Sequence, residues 1–171
     1  MQTPLEIERK FLITMPSLDV LNQGVKWEIE QTYLVPKGNE DNRRVRRSQH
    51  GDEVIYTCTA KTRVTPITCI EEEKVIDEAE YLAELAYPRA GSATVKKTRY
   101  KIPYGNRIVE IDVYPFWDEV AVLEVELESE TEELVLPPEI TILREVTTEG
   151  MYKNTNIAKW LFAHPGTPLP L

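Results

Sequence analysis

The chain has 171 residues, 42% hydrophobic and 29% charged, the size and balance of one ordinary globular domain. Its 20 Lys and Arg against 29 Asp and Glu leave a net charge of −9, which argues against general nucleic-acid or anionic-membrane binding. The longest apolar runs, such as Val120–Leu123, fall far short of the roughly 20 residues a membrane helix needs. The opening MQTPLEIERKFLI lacks the apolar stretch of a signal peptide, so a cytoplasmic protein is expected. Cys58 and Cys69 are too few and too far apart for a disulfide framework or a cysteine-based zinc site.

Two-residue alternation, the mark of half-buried strands, dominates the chain. Leu5, Ile7, Phe11 and Ile13 alternate with Glu6, Glu8, Lys10 and Leu12. Glu6 and Lys10 have helix-surface spacing, but the apolar set fits period two better than 3.6. Asp19–Leu21 then adds a helical turn after Pro16. Ile29, Gln31, Tyr33 and Val35 mark a second strand that Pro36 ends, and Arg44–Ser48 a third. Gln49–Glu53 reads as a turn into Val54–Lys61, and a further strand covers Cys69–Ile76. Asp77 can cap a helix over Glu78–Tyr87, with Tyr81, Leu82, Leu85 and Ala86 as its apolar face.

Val95–Ile102 and Arg107–Tyr114 flank Pro103-Tyr-Gly-Asn106, a hairpin connection. Ala121–Glu128 supplies another strand, for about eight in all. Glu130–Leu136 reads as a short helical segment before Pro137 and Pro138. Met151–Phe162 reads as a final helix with Ile157, Ala158, Leu161 and Phe162 on its apolar face. The Pro-rich residues 164–171 form an irregular tail on a core of about 5–162. No repeat or linker divides residues 1–171, so one domain is expected.

The polar faces of these strands carry like charges in pairs: Glu6/Glu8, Arg44/Arg46, Lys97/Arg99, Glu110/Asp112 and Glu124/Glu126. Side chains at i and i+2 share a sheet face and lie about 7 Å apart. One such pair can be an ordinary solvated face. Five pairs ask for something of opposite sign between or across from them. Helices would cover the apolar sides of the strands. A sheet closed on itself would then turn its charged sides inward, and an eight-stranded antiparallel barrel is wide enough for a small ligand. A lumen of both signs suits a polyanion with its metal ions.

Other chemistries fare worse. His50 lies in a turn and His164 in the tail, which leaves little basis for a Ser-His-Asp arrangement. Neither a Walker-type Gly-Lys-Ser/Thr loop nor a GxGxxG pattern is present. Tyr33, Tyr56 and Tyr100 read as wall or packing residues, and Trp27, Trp117 and Trp160 as core or surface anchors.

Glu6-Ile-Glu8-Arg-Lys10 resembles the ExExK signature of the CYTH superfamily, the triphosphate tunnel metalloenzymes. A lone ExExK is weak, but the order that follows is specific. Arg44-Val-Arg46 resembles the RxR strand, Lys61 ends the next strand where the family has a lysine, and Glu71/Glu73 follow. Lys97-Thr-Arg99 matches the KxR strand, Glu110-Ile-Asp112 the ExD strand, and Glu124-Val-Glu126 the late ExE. Glu145-Val-Thr147 and Tyr152-Lys153-Asn154 match the segment before the family's last helix. The likeness spans about residues 5–162 and is closest to short bacterial inorganic triphosphatases.

The resemblance implies an α+β fold: an eight-stranded antiparallel β-barrel, the triphosphate tunnel, with a few helices packed outside. It implies substrate-binding roles for Lys10, Arg44, Arg46, Lys61, Lys97, Arg99 and Lys153. Glu6, Glu8, Glu124 and Glu126, with Asp112 and Glu110, become metal ligands, and Glu71 and Glu73 additional tunnel acids. Glu6, Glu8, Lys10, Glu124 and Glu126 are then the catalytic set. These seven bases and eight acids nearly balance. Arg suits phosphate through its planar fork, while Lys acts as a point charge.

Carboxylates need a cation to meet phosphate, and Mg²⁺ bridges one or two of them to substrate oxygens. Mn²⁺ can take the same oxygen set. The activity implied is metal-dependent hydrolysis of tripolyphosphate to pyrophosphate and orthophosphate. A class IV-like adenylyl cyclase, or an organic triphosphatase acting on a nucleoside or thiamine triphosphate, shares the tunnel. A non-catalytic polyphosphate-binding module is a third reading. The partner expected is a small-molecule triphosphate rather than nucleic acid or membrane, and no oligomeric state is indicated.

Overall fold

A computed structural model describes residues 5–171. It is an α+β fold built on a closed, eight-stranded antiparallel barrel with one extra strand and three helices. In chain order the elements are β1 (Leu5–Thr14), α1 (Leu18–Leu21), β2 (Val25–Leu34), β3 (Asn42–His50), β4 (Glu53–Arg63) and β5 (Thr68–Ile76). They continue with α2 (Glu78–Glu84), β6 (Val95–Tyr104), β7 (Arg107–Val113), β8 (Val120–Leu127), β9 (Ile142–Glu145) and α3 (Asn154–Ala163). A 3-10 turn, Gly150–Tyr152, immediately precedes α3.

The strands neighbour one another in the order β5-β4-β3-β2-β6-β7-β8-β1. Leu5–Ile7 of β1 then pair with Thr68–Ile70 of β5 and close the ring. Beyond that seam, Phe11–Ile13 on the same strand pair with β9. Two tight turns bend the chain where glycine takes a left-handed conformation, Gly51 at φ 57° and Gly105 at φ 61°. They join β3 to β4 and β6 to β7.

Period two decides which residues face outward. Phe11, Ile13, Val109, Ile111, Leu123 and Val125 form one outer cluster, covered by Leu21 of α1 and by Ile140. Leu34, Val45, Cys58 and Ile76 form another, covered by Tyr81 of α2. The inward set at one end of the lumen is apolar. Leu12, Tyr33, Val95 and Val122 pack there against Tyr152, Ile157 and Ala158, so the last helix covers that end.

Several expectations need correction. Glu130–Leu136 is not helical: a turn at 130–131 leads into irregular chain. Its Leu134 and Leu136, two residues apart, both pack on the outer cluster, and side chains at that spacing would point to different sides of a helix. The helix over Glu78–Tyr87 stops at Glu84. In so few turns only Tyr81 and Leu85, four residues apart, reach the barrel, and Leu82 is 58% exposed.

Met151–Phe162 is divided at Lys153, whose backbone is extended. The carbonyl of Tyr152 accepts from Lys10 Nζ at 3.0 Å rather than from the next turn, and Phe162 stays exposed. Strand β9 is additional to the eight foreseen. The tail is irregular as expected, yet Leu169 is buried and its carbonyl accepts from Trp117 Nε1 at 2.9 Å. No helix among the described residues is long and apolar enough to cross a membrane.

Candidate active site

The charged faces turn inward and enclose a cavity of about 260 Å³. Every residue given a substrate, metal or tunnel-acid role from the sequence lines it except Lys97 and Asp112, which lie buried behind its wall. Register resolves the two ambiguous runs. Glu71 and Glu73 stand opposite Lys61 and Thr59 and line the cavity, whereas Glu72 stands opposite Ala60. Arg44 and Arg46 line or face the lumen, while Arg43 points outward to Glu84, with both guanidinium-to-carboxylate contacts at 2.7 Å.

One side of the site is a saturated ion network. Asp112, wholly buried, accepts from Lys97 Nζ at 2.7 Å, Arg99 Nε at 2.7 Å and Arg99 Nη2 at 2.8 Å. Arg99 also reaches Glu110 and Glu124, each at 3.1 Å, and Lys10 meets Glu124 at 3.1 Å. Across the seam, Lys61 bridges Glu6 at 2.9 Å and Glu71 at 3.0 Å.

The remaining charges are unpaired. Among the described residues Arg44 and Arg46 make no ion pair with a carboxylate, and Glu8 and Glu126 make none with a cation. Arg44 is 9% exposed, and its Nε has no hydrogen-bond partner among the described residues. Among the described residues Arg46 donates only to Gln31 Oε1, from Nε at 3.2 Å and Nη2 at 3.0 Å. Glu8 and Glu126 are direct partners across β1 and β8, so like charges face each other.

Titration follows this division for the acids and for Arg46, whereas burial of the Arg44 guanidinium is outweighed by Tyr33, Glu71 and Glu6, which raise it. Burial, then the neighbouring Glu124, raises Glu8 to about 8. Burial and the carboxylates of Glu6, Glu110 and Glu8 raise Glu126 as well. Burial opposes ionisation of Glu124 too, but Lys10, Arg99 and Lys97 hold it well below the usual carboxylate range. Burial, with Arg44 and Arg99 close by, brings Arg46 down to about 10. Burial and Arg99 bring Lys97 down to about 7 despite Asp112. Lys153 is lowered by burial and by Arg63 and Lys10.

The donor set fits a hard divalent cation. Glu8, half-buried, and Glu126, exposed toward the lumen, offer carboxylate oxygens that are held back from ionising, and a cation would relieve both. No three Asp, Glu, His or Cys side chains among the described residues already form a metal cage. Mg²⁺ does not require one, since it takes one or two carboxylates, waters and substrate oxygens.

Sequence reasoning missed other wall residues. Arg63 and Lys101 line the cavity two positions beyond Lys61 and Arg99, so continuing the same alternation would have found them. Tyr33, read as a wall or packing residue, lines the cavity, and Gln31 on the same strand face is buried beside it and donates to its hydroxyl at 3.4 Å. Asn42 and Thr155 also line the cavity and are hydrogen-bonded to each other at 3.0 Å. Nothing in their local pattern signals that.

A closed antiparallel barrel with unpaired guanidiniums and unpaired carboxylates on its inner wall has the chemistry to receive an anion together with a cation. The chain belongs to the CYTH family, whose domain model matches residues 4–160. Among solved structures it is similar to the inorganic triphosphatase NE1496, at 29% identity and a TM-score of 0.54, over 93% of this chain and 96% of that one. A second structure of NE1496 aligns at 28% identity and a TM-score of 0.52, over 90% and 97% of the two chains. The PH1819 protein from Pyrococcus horikoshii OT3, at 18% identity and a TM-score of 0.52, over 73% and 80%, shares the fold. No curated protein matches the chain.

Proposed function

We propose that the protein hydrolyses inorganic triphosphate to pyrophosphate and orthophosphate, with Mg²⁺ as its metal and Mn²⁺ able to replace it. The observation that carries this reading is the separation of unpaired charge: Arg44 and Arg46 lack carboxylates while Glu8 and Glu126 lack cations. The likeness to NE1496, an inorganic triphosphatase, supports it. Arg44, Arg46 and Lys153 would grip phosphate oxygens, two of them through guanidinium forks. Lys10 and Lys61, each already held by carboxylates, would fix the wall against which the chain of phosphates lies. Glu8 and Glu126, with Glu6 and Glu124 beside them, would hold the cation. When bound, that cation neutralises charge on the phosphate oxygens. Catalysis of this kind rests on positioning and charge neutralisation rather than on a covalent intermediate.

The test supplies equal concentrations of tripolyphosphate and ATP with Mg²⁺ and quantifies orthophosphate, pyrophosphate and cyclic AMP. Tripolyphosphate should be consumed far faster, and Glu126→Gln should abolish turnover while the fold persists. Cyclic AMP as the main product would replace this reading with a cyclase. Tight binding without turnover under either metal would replace it with a binding module.

A further inference from the structure

Two arginines on the inner wall are held in opposite ways. Arg99 is gripped by three carboxylates, so its charge is spent inside the protein. Arg46 is gripped by an amide. Gln31, wholly buried on β2, is its direct partner across the strand pair, and one oxygen accepts from two nitrogens of the guanidinium. The amide nitrogen of Gln31 donates to the Tyr33 hydroxyl at 3.4 Å, which turns the oxygen toward Arg46.

A neutral acceptor satisfies direction without cancelling charge. Of the five N–H donors of a guanidinium, Gln31 engages two and leaves three. The surroundings pull on that charge from both sides: Arg44 and Arg99 repel it, while Asp112 and Glu73 attract it. Without the amide, the guanidinium would lean toward those acids and lose the charge that an incoming anion needs. A glutamate at the same place would hold it as firmly and neutralise it.

We propose that Gln31 is a positioning residue for substrate, an uncharged tether that keeps Arg46 aimed and electrically uncompensated for a phosphoryl group. The inference rests on reading the lumen as a triphosphate site. Its signature is a split between stability and affinity that no packing role produces.

The experiment compares wild type, Gln31→Glu and Gln31→Met. Tripolyphosphate binding is measured by calorimetry, KM and kcat by phosphate release with Mg²⁺, and melting temperature without ligand. Gln31→Glu should keep or raise the melting temperature, because a half-buried cation that makes no ion pair gains a counter-charge. Its binding should nevertheless weaken by about tenfold to a hundredfold, the loss of a charge-assisted contact. Gln31→Met should melt lower and bind about threefold to tenfold more weakly.

Binding within twofold of wild type in either variant overturns the proposal. So does a loss in Gln31→Glu that accompanies a lower melting temperature, since that is a packing defect. A wild-type protein that does not bind tripolyphosphate overturns both the proposal and the reading of the lumen. Normal wild-type binding matched by both variants overturns the role of Gln31 alone.

Discussion

Asp112 was expected to bind metal, but its contacts make it the counter-charge of two buried cations, and Asp112→Asn separates the two roles. In the folded protein its carboxylate is completely buried and takes three short hydrogen bonds from Lys97 and Arg99. Removing one partner of a buried ionic cluster costs about 3–5 kcal/mol, because the charges left behind remain desolvated. A chain of this size loses about 2–4 °C of melting temperature per kcal/mol, so the expected drop is about 6–20 °C. The deficit should also depend on pH. Lys97 has a folded pKa of about 7, depressed from the usual 10.5. A depressed ammonium contributes stability at high pH that is lost as pH falls through its folded value. Asp112→Asn removes an anion that favours the charged ammonium, so its deficit should be larger at pH 6 than at pH 9. Thermal melts by circular dichroism in metal-free buffer at those two pH values measure both effects. A deficit under about 1 kcal/mol, or one that appears only when Mg²⁺ is present, would refute the counter-charge role and return Asp112 to the metal ligands.

Glu8→Gln should stabilise the metal-free protein most at and above pH 8 and hardly at all below pH 4.5. The reason is that a raised carboxylate pKa contributes stability below its unfolded value, and that stability is lost as pH rises through the folded one. Paired melts of wild type and variant across that range check the sign, and a benefit that shrinks toward alkaline pH contradicts it. Arg44→Ala should weaken tripolyphosphate binding by about 1.5–3 kcal/mol while the melting temperature holds or rises. Unchanged affinity by calorimetry would show that the phosphate lies elsewhere on the wall.

Much of the barrel was legible because period two is a robust signal wherever one strand face is buried. All eight barrel strands have counterparts in the alternation, and the inward pairs from Glu6/Glu8 to Glu124/Glu126 were visible as like charges that no solvated face requires. The register of Glu71–Glu73 was not, since three identical side chains in a row carry no alternation. Strand β9 escaped because its four residues are bounded by no pattern and pair with β1 through contacts remote in the chain. Gln31 was hidden by its neighbours. Ile29 and Tyr33 made that face look apolar, and only the opposing arginine reveals its purpose. Lys97 and Asp112 had the right motif spacing, but the sequence could not say that they would consume each other's charge.

Strand β1 takes three partners, β5, β8 and β9, and the last two lie more than a hundred residues downstream. As the chain leaves the ribosome, its first strand must therefore wait for nearly the last one before its main ladder can form. Such non-local pairing makes for slow folding and exposes strand edges meanwhile. In that interval β1 presents a charged side, with Glu6, Glu8 and Lys10, beside an apolar one, and like-charge repulsion between two copies discourages association along it. The side chains that would hold the cation and wall the finished lumen thus serve earlier as a guard on an unfinished sheet.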